Sequence, residues 1–274
     1  MLDTVHQAIV IADTLEILKK MPDESVQLIV ADPPYNIDIA EWDSYENYIE
    51  WASKWIDEAY RVLKKTGNLV IFGGFQFENQ GRGDLLELVH YIRKHTKFHL
   101  VNVIIWYYKN GIAARRFFSN RHEEIMWFAK SKKYIFNLDP VRIKYEKETL
   151  ELYKKDKRLN HEMLEKGKNP TNVWEIPRLN SNSTERVGHP TQKPYAIIDR
   201  IVKSMSSEGD VVMDIFAGSA VSMRVCVENK RHFIGVDKDE SSLEYAELQK
   251  KKIKNTNYSY TTNFDEFICK ILKC

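Results

Sequence analysis

Apolar positions along the chain follow two patterns that alternate. Val26-Gln27-Leu28-Ile29-Val30-Ala31 is a short, nearly continuous apolar run. That is the form of a parallel strand buried on both faces, and Asp32-Pro33-Pro34 ends it because proline cannot continue a ladder. Beyond it Tyr48, Ala52, Trp55, Ala59 and Val62 recur at helical spacing, with Ile49, Ile56 and Leu63 alongside. The spacing predicts a helix, and Asp43 and Glu46 have the form of its capping box. Thr66-Gly67-Asn68 is then expected to turn the chain into a strand over 69–72, completing a strand, helix, strand unit.

The same pattern returns near the other end. Residues 194–205 read as a helix, Glu208-Gly209-Asp210 as a turn and Val211-Val212-Met213 as a strand. Asp214-Ile215-Phe216-Ala217-Gly218-Ser219-Ala220 follows as a loop of small residues, then a helix through Cys226, then a strand over 233–236 that ends on Asp237. Strand, tight glycine-containing loop, helix, strand, acid is the nucleotide-binding order of doubly wound α/β folds. Asp237 lies 19 residues beyond Gly218, near the spacing of about 20 expected of a carboxylate that holds ribose hydroxyls. A single glycine in such a loop is also compatible with a plain turn.

Length and composition narrow the class. With 274 residues, 43% hydrophobic and 29% charged, the chain has enough apolar material for one large domain or two small ones, and it lies far from the signature of disorder. The most apolar run, 100–108, contains Asn102 and is half the length a membrane span needs, so no membrane partner is expected. Met1-Leu2-Asp3-Thr4 does not resemble the start of a signal peptide. Cys226, Cys269 and Cys274 are odd in number and lack metal-ligand spacing, which fits a reducing cytoplasm without disulfide or zinc. His122 with Glu123 and Glu124 hints at a metal cluster, but no second histidine follows at i+4, so no metal is expected. The net charge of +2 conceals a basic middle, because residues 106–168 hold 16 Lys and Arg against 9 Asp and Glu. Such a stretch suits a polyanion partner or, equally, a solvated helical face.

Asp32-Pro33-Pro34-Tyr35 resembles the catalytic tetrad of amino-group DNA methyltransferases, and 214–220 resembles their FxGxG cofactor loop. The order is tetrad first, a long variable segment, then His189-Pro190-Thr191-Gln192-Lys193-Pro194 and the cofactor loop. That order is similar to the β class of these enzymes. The resemblance implies a Rossmann-like sheet with permuted motif order, one catalytic domain built from about 1–135 and 188–274, and a target-recognition insertion at about 136–187. Residues 36–43, 117–133, 155–160 and 166–194 are similar, nearly word for word, to adenine-modifying members of that class that act at GAATTC. A separately acting restriction endonuclease would be the expected companion.

By that resemblance Asp32 and the Pro33 carbonyl, aimed by Pro34, accept from the amino group of a base, and Tyr35 stacks on a base flipped out of the duplex. The methyl donor is S-adenosylmethionine. Asp214, Phe216, Ala217, Gly218 and Ser219 are placed against its methionine part, Lys193 against its carboxylate and Asp237 against its ribose. Asp13 occupies the place of an acid that accepts from the cofactor's adenine, or it caps a helix over 14–20. Ala220 departs from the family's glycine. Alanine is tolerated if the position serves close packing, and costs roughly 1 to 2 kcal/mol if it needs positive φ.

For DNA, Arg115, Arg116, Arg121, Lys130, Lys132 and Lys133 are candidates to neutralise phosphates. Arg178, Asn180, Asn182 and Arg186 are residue types that read base edges. Three functions fit: an adenine N6-methyltransferase, an N4-cytosine methyltransferase, or a methyltransferase-like DNA-binding module with a weakened cofactor site. Aspartate at position 32 favours adenine, since cytosine enzymes of the family more often carry serine there.

Overall fold

A computed structural model of the protein describes residues 4–38, 43–77, 81–111, 113–254 and 257–272. Met1 to Asp3, Cys274 and part of the 36–43 segment lie outside the described residues. The strands are β1 Val5–Ile11, β2 Val26–Ala31, β3 Leu63–Gly73, β4 His99–Tyr107, β5 His122–Ala129, β6 Val173–Glu175, β7 Val211–Asp214, β8 His232–Asp237 and β9 Tyr258–Thr261. The helices are α1 Thr14–Lys20, α2 Tyr48–Val62, α3 Leu85–His95, α4 Lys147–Lys154, α5 His161–Lys166, α6 Tyr195–Met205, α7 Val221–Glu228, α8 Ser241–Lys250 and α9 Phe264–Leu272.

The nine strands form one sheet in the order β6-β4-β5-β3-β2-β7-β8-β1-β9. Both ladders of β5 are antiparallel and all the others are parallel. Alternation along the strands separates two cores. Ile29, Ala31, Leu69 and Ile71 face one side, where Trp55 of α2, Leu88 of α3 and Phe267 of α9 cover them. Leu28, Val30, Val70 and Phe72 face the other, under Ile201 of α6, Cys226 of α7 and Ala246 of α8. Covering both faces is what permits β2 to be buried at all six positions. Among the described residues no helix is long and apolar enough to cross a membrane.

Two local expectations are corrected. The cap of α2 is Asn47, whose side chain accepts from Glu50 N and donates to Glu50 Oε2. Asp43 instead accepts from the backbone amides of Asn36 and Ile37 at 2.8 and 3.0 Å and braces the loop after β2. Nor is Thr66-Gly67-Asn68 a turn. β3 starts at Leu63, directly after α2, and takes up the three residues through a register shift against β2. Asn68 is fully buried there, accepting from Trp127 Nε1 and donating to the carbonyls of Ile135 and Met205.

Candidate active site

Strands progress outward in opposite directions from the β2–β7 pair, and a crevice opens at the carboxyl ends of strands where the order reverses. Val30 stands opposite Asp214 in that ladder. The loops that leave β2 and β7 therefore begin side by side, although about 180 residues separate them in sequence.

The β2 loop is held rigidly. Tyr48, fully buried on α2, donates its hydroxyl to the Pro34 carbonyl at 2.7 Å. Asn36 is also fully buried, takes a positive φ of 57°, and exchanges hydrogen bonds with the backbone of Tyr45 and the Gly83 carbonyl. Against this frame the Tyr35 hydroxyl donates to Asp32 Oδ1 at 3.3 Å. Lys193 Nζ lies 2.9 Å from Asp32 Oδ2, 3.5 Å from Glu123 Oε2 and 3.4 Å from the Tyr35 hydroxyl. Burial works against the Lys193 ammonium, but the two carboxylates outweigh it and hold its pKa above the ordinary value. Burial, reinforced by Asp32 and Glu123, pushes the Tyr35 hydroxyl well up.

His189-Pro190-Thr191-Gln192-Lys193-Pro194 braces this half against the other. Gln192 accepts from Val187 N and donates to the Glu185 carbonyl, which fixes the extended approach to α6 and aims Lys193 at Asp32. The His189 ring packs on Gly218, where a Cβ would meet Nε2 at 3.0 Å and φ is +43°. Only glycine combines that close approach with that backbone.

In the β7 loop Asp214 is buried, accepting from Ser222 Oγ at 2.6 Å and Phe216 N at 3.2 Å. Burial nevertheless pushes its carboxyl up to about 7. Asp237 Oδ2 accepts from Gly218 N at 2.7 Å and its Oδ1 from Asp239 N at 2.9 Å, so this acid ties the end of β8 to the loop. Ala220 takes φ 54° and ψ 23° in the left-handed region and is fully buried. Of the two alternatives for that position, the conformation is the strained one. Asp13 caps α1 through Leu15 N and also pairs with Lys238 at 2.8 Å on the rim of the cavity. One cavity of about 480 Å³ runs between the two loops, lined by Asp32, Pro34 and Lys193 at one end and Gly218, Asp237 and Asp13 at the other.

The expected phosphate and base contacts divide. Arg115, Arg116, Lys132, Lys133, Arg178, Asn180 and Asn182 are exposed. Arg178 stacks over Tyr108, and Asn180 accepts from Asn110. Arg121 donates to the Gly111 carbonyl. Lys130 is a correction. Its ammonium donates to the Leu63 and Arg61 carbonyls at the end of α2, sits over the Tyr60 ring, and pairs with Glu24, with the side chain 11% exposed. Arg186 donates to the carbonyls of His189, Pro190 and Leu179. The site residue that sequence reasoning missed is Glu123. Alternation along β5 puts it on the face of Ile125 and Trp127, the same face as Phe72, over which Lys193 lies. A charged residue opening an apolar strand was the available signal. Glu124, next to it, faces the other way and accepts from Phe75 N.

Residues 26–248 match the DNA methylase family model N6_N4_Mtase. The chain is 32% identical over 257 residues to the type II methyltransferase M.HpaI of Haemophilus parainfluenzae, covering 91% of this chain and 74% of that one. It is 35% identical over 244 residues to the DNA adenine methyltransferase YhdJ of Escherichia coli (strain K12), covering 84% and 78%. Among solved structures it resembles the cytosine-N4-specific PvuII DNA methyltransferase, with a TM-score of 0.68, 17% identity and coverage of 99% and 94%. The M1.HpyAVI–SAM complex gives a TM-score of 0.60 at 21% identity, covering 89% and 98%. A sheet with its crevice between β2 and β7 and a family match across most of the chain lead to one conclusion: the protein is a DNA methyltransferase of the N6/N4 DNA methylase family.

Proposed function

We propose that the protein transfers a methyl group from S-adenosylmethionine to N6 of adenine in double-stranded DNA, as the modification enzyme of a restriction-modification system. The observation that carries this reading is the single cavity that joins Asp32 to Gly218 and Asp237. Its volume of about 480 Å³ lies within the range of cofactor sites. The residues lining it fit the cofactor. Trp55 Nε1 is a buried donor with no partner among the described residues, Asp237 and Asp13 are acceptors at one end, and Asp214 is a carboxylate near the middle. The bound cofactor supplies an electrophilic methyl group on a sulfonium.

The adenine amino nitrogen is a poor nucleophile because its lone pair is delocalised into the ring. Asp32 accepts one of its protons in a hydrogen bond, and the Pro33 carbonyl accepts the other, which favours a tetrahedral nitrogen with its lone pair directed toward the methyl group. Tyr35 offers a ring face to the extruded base. Lys193 fixes Asp32 in one orientation, while Glu123 shares the ammonium. After transfer the surplus proton on nitrogen passes to Asp32 and on to solvent.

Adenine is favoured by the aspartate at position 32 and by the likeness to YhdJ, an adenine methyltransferase. Residues of about 136–187 are assigned to target recognition, and GAATTC is proposed as the site from the resemblance across 166–194. The test is transfer of labelled methyl from S-adenosylmethionine to genomic DNA, with the modified base and its sequence context identified. N6-methyladenine in GAATTC is expected, and Asp32→Ala should lose turnover by at least a hundredfold, as loss of one preorganised partner does elsewhere, at about 2.7 to 4 kcal/mol. N4-methylcytosine would overturn the adenine assignment, and another sequence context would overturn the site alone.

A further inference from the structure

The loop between β4 and β5 carries chemistry that the site described above does not use. Its neck is closed by Tyr108 N donating to the Arg121 carbonyl at 2.8 Å and by Arg121 donating to the Gly111 carbonyl. Its tip is closed by Ala114 N donating to Ser119 Oγ at 2.9 Å. The four residues enclosed are Arg115, Arg116, Phe117 and Phe118, all of them exposed. Phe118 is 99% exposed and Phe117 69%. Isolated exposed apolar side chains are ordinary, but two adjacent phenylalanines at the tip of a hydrogen-bonded loop, next to two arginines, need a partner that accepts both.

Position supplies that partner. Glu123, at the base of the loop, is 3.5 Å from the ammonium that also holds Asp32. Phe118 is five residues from Glu123, so no more than about 18 Å of extended chain separates the two backbones. Asn110, on the ascending side, donates to the Arg178 carbonyl and to Asn180, which ties the loop to the segment after β6. The tip is therefore anchored at the end of the sheet where the target base arrives.

Resting on the reading of this site as one that methylates an extruded base, we propose that Phe118 is a wedge. It enters the base stack at the position the target base vacates, with Phe117 beside it, while Arg115 and Arg116 hold the flanking phosphates. An extruded base leaves an apolar gap whose walls are the faces of the neighbouring bases, and aromatic side chains fill such gaps in other duplexes. The phosphates on either side are the natural partners of the two guanidinium groups.

The test uses the full-length enzyme and a short duplex bearing the site mapped on genomic DNA. A second duplex has an abasic position opposite the target base, so that the base is already unpaired. Phe118→Ala should slow single-turnover methylation of the paired duplex by at least about tenfold and come within about threefold of the parent on the abasic duplex. With 2-aminopurine at the target position, the fluorescence rise on extrusion should shrink in the variant on paired DNA alone. S-adenosylmethionine affinity, measured by calorimetry, should not change. Arg115→Ala with Arg116→Ala should weaken binding of both duplexes alike. A Phe118→Ala rate within threefold of the parent on paired DNA overturns the wedge, and so does an equal loss on both duplexes. A parent enzyme that methylates no base in genomic DNA would instead overturn the proposed function, a separate result.

Discussion

Asp214→Asn probes the electrostatics at the end of β7, on the wall of the cavity. The carboxyl is 5% exposed, and burial lifts it from 3.8 to about 7 although Ser222 and Phe216 donate to it. Between those values the folded protein keeps a proton that the unfolded chain has released. Stability from this group is therefore complete below about pH 4, falls as pH rises, and levels off above about pH 7. At about 1.4 kcal/mol per pH unit the whole fall is roughly 4 kcal/mol, of which about 2 to 3 kcal/mol lies between about pH 5 and 7. Asparagine keeps the shape: its oxygen accepts from Phe216 N and the Ser222 hydroxyl rotates to accept from the amide. Urea unfolding of parent and variant at matched pH cancels contributions from other groups. The difference should move by about 2 to 3 kcal/mol in the variant's favour from about pH 5 to 8. A difference constant to within about 0.5 kcal/mol over that range would refute the elevated value and mean that the carboxylate is ionised inside the fold.

Lys193→Met leaves Asp32 and Glu123 facing each other without a cation, so it should cost about 3 to 5 kcal/mol of stability, and adding Glu123→Gln should recover part of it; equal stability of single and double variants in thermal melts would show that the two carboxylates do not interact. Lys130→Ala should lower stability by about 1 to 3 kcal/mol and leave the salt dependence of DNA binding untouched, whereas Arg115→Ala should reduce that slope by about one; a change of slope in the Lys130 variant would return Lys130 to the DNA interface. Ala220→Gly relieves left-handed strain of about 1 to 2 kcal/mol against an unfolded-state entropy cost of about 0.4 to 1 kcal/mol, so urea unfolding should show no loss of stability. A loss above about 1 kcal/mol would mean that packing of the buried methyl outweighs the strain.

Much of the site was legible because its residues sit where strand patterns stop. Val26 to Ala31 reads as a buried strand, and whatever follows such a strand in an α/β sheet lies at the ligand end, which places Asp32 without knowledge of its neighbours. What escaped depends on pairings that one-dimensional spacing does not carry. The D-x-x-E spacing of Asp43 and Glu46 is shared by the true cap four residues on, Asn47 and Glu50, and only the tertiary use of Asp43 by Asn36 separates them. Lys130 lies in a basic stretch, and charge gives no hint that its ammonium closes the end of α2. Glu123 acquires meaning only once β5 runs antiparallel beside β3 and turns it toward Phe72 and Lys193. β1 was not anticipated as a strand, because Val5-His6-Gln7 interrupts its apolar run and Gln7 is buried through a bond to the Arg231 carbonyl.

β1 lies between β8 and β9, with Gln7 opposite Phe233 and Val5 opposite Tyr258, and Ala12 N closes the junction by donating to the Asp237 carbonyl. His6 and His232, joined through a backbone amide and a ring nitrogen, are 226 residues apart. On a ribosome adding about 5 to 20 residues per second, β1 waits on the order of 10 to 45 seconds for its neighbours. During that interval Ala8, Ile9 and Val10, later in the core, belong to an unpaired edge that invites chaperones or wrong partners. β2 gains its first neighbour sooner, since β2 and β3 pair across a single helix, although its other neighbour, β7, also follows about 180 residues later. Nascent chains thus begin the Asp32 side of the cavity well before the Asp237 side, and closure of the sheet should be the slow step of folding, as long-range parallel pairing commonly is.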